Sequence, residues 1–227
     1  ACRQGAEWIK QGLEVTIAVN LSASHFQNGM LVEQIANAIQ DSGFPVRLLE
    51  LEVTESCIMQ DVGSTISTLN ALKKLGVSVS VDDFGTGYSS LSYLKLFPLD
   101  KLKIDQSFVC DLSSSNSDAV IVRAIIALGH AMGLTVIAEG VETREQYALL
   151  RSWHCDEMQG FLFAKPCLPG DLPAIANQLN VQSAEFAQSR TKENSHVLLL
   201  VDDEPSILNA LRRTLRSGEY RIVIANG

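Results

Sequence analysis

Asn20, Glu52, Asp82, Lys103 and Glu139 stand at matching places in the pattern of this chain, each at the end of a short run of alternating polar and apolar residues. Carboxylate and amide oxygens are donors that hard divalent cations accept. A lysine ammonium among them can orient a water or steady a phosphate. One such residue would mean little, whereas five in register describe a site able to hold metal and move a proton. Asp82 is followed by a second carboxylate, in Val81–Asp82–Asp83–Phe84–Gly85–Thr86–Gly87–Tyr88–Ser89–Ser90. Neighbouring strand residues face opposite sides, so both acids serve one site only if the backbone turns between them. Gly85 and Gly87 permit a tight loop against the pair. The plain alternative is a polar turn with Asp83 as a helix cap.

Two further acids follow the strand ends at a spacing of three. Glu55, in Glu52–Val53–Thr54–Glu55, is placed to hold the glycine loop, or else is a surface acid in the first turn of a helix. Glu142, in Glu139–Gly140–Val141–Glu142, reads equally well as support for the site or as a cap. Lys103 is costly to bury without a partner. Surrounding carboxylates would offset that cost, and a structural ion pair with Asp105 is the alternative.

These residues need elements to position them. Six apolar runs, at Val15–Leu21, Leu48–Thr54, Val77–Phe84, Lys101–Asp105, Thr135–Gly140 and Met158–Phe163, alternate with helical patterns at Leu31–Ser42, Ser64–Leu75, Asp118–Met132 and Arg144–Trp153. Gly43, Gly76 and Gly133 fall where a left-handed C-cap is wanted. Strand alternating with helix implies a parallel sheet of the α/β class. One face of each run is apolar, as in Val77–Val79–Val81, and the other small or polar, as in Ser78–Ser80–Asp82. Strands of an open doubly wound sheet are covered on both faces, so the pattern favours a barrel with its polar face inward. Catalytic groups of a (β/α)8 barrel gather at the C-terminal strand ends. Such a barrel takes about 250 residues, so two strands are expected to precede Ala1.

Composition sets the bounds. The 227 residues carry 18 basic and 26 acidic side chains, a net charge of −8, which argues against a protein that coats DNA. No apolar run approaches the ~20 residues of a membrane span, and the expected location is cytoplasmic. Cys2, Cys57, Cys110, Cys155 and Cys167 form no CxxC pair, and His25, His130, His154 and His196 have no ligand spacing. The fingerprints GxGxxG and GxxxxGK[ST] are missing. Residues 181–195 are polar without an apolar stripe and read as a linker between a domain at 1–180 and a segment at 196–227. That segment has a strand (His196–Val201), a helix (Ser206–Ser217) and a second strand (Tyr220–Ala225).

Taken together, Asn20–Leu21–Ser22, Glu52–Val53–Thr54–Glu55, the run from Asp82 to Ser90, Lys103–Ile104–Asp105, Glu139–Gly140–Val141–Glu142 and Gln159–Gly160–Phe161–Leu162–Phe163–Ala164–Lys165–Pro166 resemble the EAL-type cyclic-di-GMP phosphodiesterases. The resemblance covers residues 1 to about 175. It implies a TIM-like (β/α)8 barrel with one antiparallel strand, here lacking its first two strands. It implies hydrolysis of cyclic di-GMP to linear pGpG with two Mg²⁺ or Mn²⁺ ions. Carried over by position, Asn20, Glu52, Asp82, Asp83 and Glu139 hold metal, Lys103 positions the attacking water and Glu139 also acts on it. Glu55 anchors the loop with Gly85 and Gly87, which in this family couples metal binding to dimerisation, so a homodimer through the barrel is expected. Gln159 matches a polar position of the site, and Glu142 supports it. The glutamate of the Glu-Ala-Leu signature is not among these 227 residues, and the chain alone is expected to be inactive. Family members that bind the dinucleotide without cutting it supply the alternative, a receptor module. Spacing alone also leaves open another divalent-metal barrel, such as an enolase-like lyase.

The segment from His196 resembles the first βαβ portion of a response-regulator receiver, a flavodoxin-like fold. Asp202 and Asp203 match that family's Mg²⁺-binding acidic pair. The resemblance implies control of the phosphodiesterase by a histidine kinase through an acceptor aspartate on a later strand.

Overall fold

The computed structural model describes residues 1–27, 29–86, 91–112, 115–179, 196–202 and 220–226. Two compact units emerge, Ala1–Gly170 and Asp171–Gly227.

The first unit is a six-stranded parallel sheet in simple sequential order: β1 (Ile17–Leu21), β2 (Leu49–Thr54), β3 (Ser78–Phe84), β4 (Lys101–Ile104), β5 (Thr135–Ala138) and β6 (Glu157–Met158). Helix α1 (Cys2–Lys10) precedes β1. Between β1 and β2 run α2 (Ala23–Gln27) and α3 (Leu31–Ser42), and between β2 and β3 run α4 (Glu55–Ile58) and α5 (Val62–Leu75). Helix α6 (Leu91–Leu94) leads to β4, α7 (Gln106–Val109) and α8 (Asn116–Ala131) to β5, and α9 (Arg144–Ser152) to β6. The expected alternation is therefore present, and Gly43 and Gly76 end α3 and α5 at φ +64° and +95° as C-caps. Gly133 also takes a positive φ, +72°, just beyond α8.

Two expectations need correction. The run Met158–Phe163 is strand only at Glu157–Met158, because Leu162 N–H donates to Val141 O at 3.0 Å and Phe163 N–H to Gly160 O at 3.1 Å, turning the chain. The one-turn helices α2, α4, α6 and α7 lie in what reads in sequence as loop, being too short to show a period.

The two faces of the sheet differ as alternation requires. Val53, Val79, Val81, Leu102, Ile104, Val136 and Ala138 are fully buried, and they share a core with Leu69 and Leu72 of α5, Val122 of α8 and Leu150 of α9. The opposite face carries charge. Lys101 on β4 reaches Glu50 on β2 at 3.1 Å and Glu157 on β6 at 2.8 Å. Strands two apart in a sheet lie roughly 9–10 Å from each other. Pairs that close over that gap show that the charged face is concave, with alternate strands contributing to one tier.

In the second unit β7 (His196–Asp202) pairs in parallel with β8 (Tyr220–Asn226), from His196 opposite Tyr220 to Asp202 opposite Asn226. Asp203 and the expected helix Ser206–Ser217 lie outside the described residues, as do Gly87 and the whole linker 181–195.

Candidate active site

The site residues stand at or near the C-terminal ends of successive strands. Asn20 stands opposite Glu52 across β1 and β2, and Thr54 opposite Asp82 across β2 and β3. Between β3 and β4 the register slips: Val81 faces Leu102 but Phe84 faces Ile104. Three steps on β3 thus match two on β4, a bulge with one residue extra. Asp83 takes up the difference at φ +55°, a left-handed conformation costly for a residue with a Cβ. The bulge turns both carboxylates towards one place. Asp82, Asp83 and Glu139 each present an oxygen within 4.8 Å of the others. Asp83 is accordingly a bulge residue and not a helix cap.

Lys103 stands at the centre. Its Nζ lies 2.7 Å from Glu52 Oε1, 3.2 Å from Asp82 Oδ1 and 2.6 Å from Glu139 Oε1. The side chain is 3% exposed. Burial alone would disfavour the ammonium, but hydrogen bonds to Glu139 and Glu52 and their charges outweigh it and hold its pKa above the lysine range. Asp105, the alternative partner, is engaged elsewhere, accepting from Ser107 N–H at 2.9 Å and from the Ser107 hydroxyl. Glu139 is raised as well: burial pushes its carboxyl up, and Asp82 and Glu52 add to this against the pull of Lys103. Burial also raises Asp83, helped by Asp82 and Asp105. Four carboxylates about one ammonium leave an excess of negative charge that oxygen-loving divalent cations would neutralise. The donor set fits such ions.

The supporting acids separate cleanly. Glu55 is 4% exposed, and its Oε2 accepts from Gly85 N–H at 3.2 Å, so it tethers the glycine loop. Gly85 itself has φ +100°, and an added Cβ would sit 3.0 Å from Phe108 Cε2. Glu142 is not the helix cap. Thr143 caps α9 in a capping box with Gln146, and Glu142 N–H donates to Gln146 Oε1 at 2.7 Å. The exposed Glu142 and Gln159 line a cleft of about 260 Å³ together with Asp83, Asp105, Gln106, Glu139, Gly140, Gly160 and Phe161.

Three contributors escape sequence reasoning. Asp105 lies close enough to Asp83 to help raise its carboxyl, and its place two residues after Lys103 on the same face was the available signal. Gln146, 3% exposed, donates from Nε2 to Val109 O and Cys110 O at 3.1 Å while its Oε1 takes Glu142 and Thr143 N–H. It fastens the loop bearing Glu139 to the helix that follows Lys103, and nothing in its local sequence reveals this. Phe161 belongs to a run that reads as apolar strand, yet it is exposed on the cleft wall.

Residues 1–166 match the model of the EAL domain. The chain belongs to the EAL domain family. Its parallel α/β sheet is the TIM-like fold of solved EAL structures. The phosphodiesterase of Pseudomonas aeruginosa MucR in complex with c-di-GMP superposes with a TM-score of 0.73 at 44% identity, covering 76% of this chain and 70% of that one. The manganese and cyclic-di-GMP complex of Klebsiella pneumoniae BlrP1 gives 0.67 at 33%, covering 74% and 43%. Among sequences, the cyclic di-GMP phosphodiesterase NbdA of P. aeruginosa is 47% identical over 167 residues, 73% of this chain and 21% of NbdA. The signalling protein YkoW of Bacillus subtilis is 45% identical over 169 residues, 74% of this chain and 21% of YkoW. The chain thus spans about a fifth of the length of these curated relatives. The family match stops before the second strand pair. No helix among the described residues is long and apolar enough to cross a membrane.

Proposed function

We propose that this EAL domain belongs to an enzyme that hydrolyses cyclic di-GMP to linear pGpG. The observation that carries the reading is the constellation of Asp82, Asp83 and Glu139 about Lys103. Asp82, Asp83 and Glu139, with Glu52 and Asn20 beside them, would hold two Mg²⁺ or Mn²⁺ ions. Such ions, when bound, acidify water and stabilise charge on a phosphoryl group. The remaining chemistry falls to the chain's own groups. Lys103 keeps its proton and, with its three donors on Glu52, Asp82 and Glu139, positions the attacking water through the carboxylates it fixes. Glu139, its carboxyl raised by burial, is suited to take a proton from that water. A bond forms from water oxygen to phosphorus, the bond to one ribose 3′ oxygen breaks, and that oxygen leaves protonated. Glu55 keeps the loop after Asp83 in place, while Glu142 and Gln159 meet the substrate from the cleft wall.

The same reading includes a homodimer formed through the barrel. Exposed Tyr93 and Leu96 at and just after α6, 45% and 49% accessible, support a self-association surface on the segment that follows the glycine loop in sequence. It also includes domain limits at 1–180 and 196–227, a cytoplasmic setting, and receiver control through Asp202 and Asp203. The last is supported by the sequence Val201–Asp202–Asp203–Glu204–Pro205 and the parallel β7–β8 pair.

The test is hydrolysis of cyclic di-GMP by the full-length protein with Mg²⁺, following pGpG by chromatography with Glu52→Ala as control. Turnover lost in the control supports the enzyme. Tight binding without turnover in the unaltered protein would make the domain a receptor.

A further inference from the structure

Phe161 is placed at a cost. Its neighbours Leu162 and Phe163 pack against the core, Phe163 meeting Tyr147 edge to face with centroids 6.1 Å apart. Phe161 alone of the three stands 55% exposed. Leaving an aromatic side chain in water forgoes apolar burial that its neighbours obtain. The backbone gives it no room to turn away. Val141 N–H donates to Gln159 O at 3.0 Å and Leu162 N–H to Val141 O at 3.0 Å. Between them Gly160 presses so closely on Val141 that an added Cβ would sit 2.1 Å from its carbonyl oxygen. Lys165 Nζ lies over the ring, 5.9 Å from the centroid, within the range of a cation–π contact.

The ring bounds the cleft whose other walls are Asp83, Asp105, Glu139 and Glu142. An aromatic face is suited to the base of a dinucleotide, and the Asp105 and Glu142 carboxylates on the same cleft can accept from its N–H groups. At about 260 Å³ the cleft is smaller than pockets that enclose a whole drug-sized ligand, roughly 300–1,000 Å³, and suits one end of the molecule. We infer that Phe161 is the stacking platform for one guanine of the dinucleotide and sets its affinity without taking part in the chemistry. This rests on the phosphodiesterase reading of the same site.

The experiment uses the full-length protein with Ca²⁺, the ion found with intact cyclic di-GMP in the BlrP1 complex. The probe is cyclic di-GMP with one guanine replaced by fluorescent 2-aminopurine, which stacking quenches, alongside calorimetry with unmodified cyclic di-GMP. Phe161→Ala is expected to relieve the quenching and to weaken binding about 5- to 150-fold, the range of base–aromatic stacking. In turnover with Mg²⁺ the loss should appear in KM more than in kcat. Phe161→Trp should restore both signals and Phe161→Leu neither, and circular dichroism of each variant should stay native because the side chain is exposed. Unchanged affinity and quenching in Phe161→Ala, with the unaltered protein binding well, overturns the stacking role alone. No binding of cyclic di-GMP by the unaltered protein overturns the phosphodiesterase reading and this inference with it.

Discussion

Replacing Lys103 with methionine keeps the length of the side chain and removes the charge about which Glu52, Asp82 and Glu139 are gathered at 2.6–3.2 Å. All three partners are largely buried, between 9% and 17% exposed, so water cannot take the place of the ammonium. Breaking a buried ionic cluster by removing one partner costs about 3–5 kcal/mol. At about 2–4 °C per kcal/mol for a unit of this size, melting in EDTA should fall by about 6–20 °C. The loss has a particular signature. Mn²⁺ would occupy the same excess of negative charge, so it should raise the melting temperature of Lys103→Met more than that of the unaltered protein. Turnover should be lost in both conditions. Calorimetric melts of both proteins, with EDTA and with saturating Mn²⁺, make the comparison. A drop below about 2 °C in EDTA, or equal gains from Mn²⁺, would refute the view that Lys103 holds the carboxylates together in place of cations.

Acid and base act on different groups. Burial raises Glu139 and Asp83, so the metal-free fold binds protons more tightly there than the unfolded chain. Stability should therefore fall as pH rises from the ordinary carboxylate range through their raised values, and excess Mn²⁺ should flatten that slope. Asp156 is the opposite case. Burial would raise it, but hydrogen bonds from Val136 N–H and His130 pull it down. Its contribution is complete above the unfolded aspartate value and lost as pH falls through the lowered one, which Asp156→Asn should remove from an acid titration of melting temperature. Glu55→Ala should leave the fold in place yet raise the Mn²⁺ concentration needed for half-maximal turnover, since Gly85 N–H loses its acceptor. Gly160→Ala drives a methyl into the Val141 backbone and should destabilise by about 1–3 kcal/mol or more, readable as a lower urea midpoint.

The parts legible in sequence were those with a period. Alternation in Val77–Val79–Val81 against Ser78–Ser80–Asp82 gave the two faces of β3 and hence the ends where Asn20, Glu52, Asp82, Lys103 and Glu139 stand. The C-cap glycines marked the ends of α3 and α5 correctly. The partners of Lys103 were not legible, because they come from β2, β3 and the residue just after β5, while Asp105 is the nearest acid in sequence. The end of β6 was missed for a similar reason: Met158–Phe163 is largely apolar, but its hydrogen bonds go to Val141 and Gly160. Gln146 looks like an ordinary helix glutamine until α7 is packed against it.

The extra residue in β3 sets folding against the proposed catalysis at a single codon. With Asp83 present the ladder to β4 is broken and one backbone sits in a left-handed conformation, a local cost of about 1–3 kcal/mol. Deleting it would return the strand to plain alternation and leave one acid fewer facing the cleft. A lineage that needs only to hold its ligand gains robustness by straightening the strand, whereas one that must cut it has to keep the kink. The bulge is thus the position where descendants of such a domain would be expected to part ways, with scarcely any change elsewhere in the barrel.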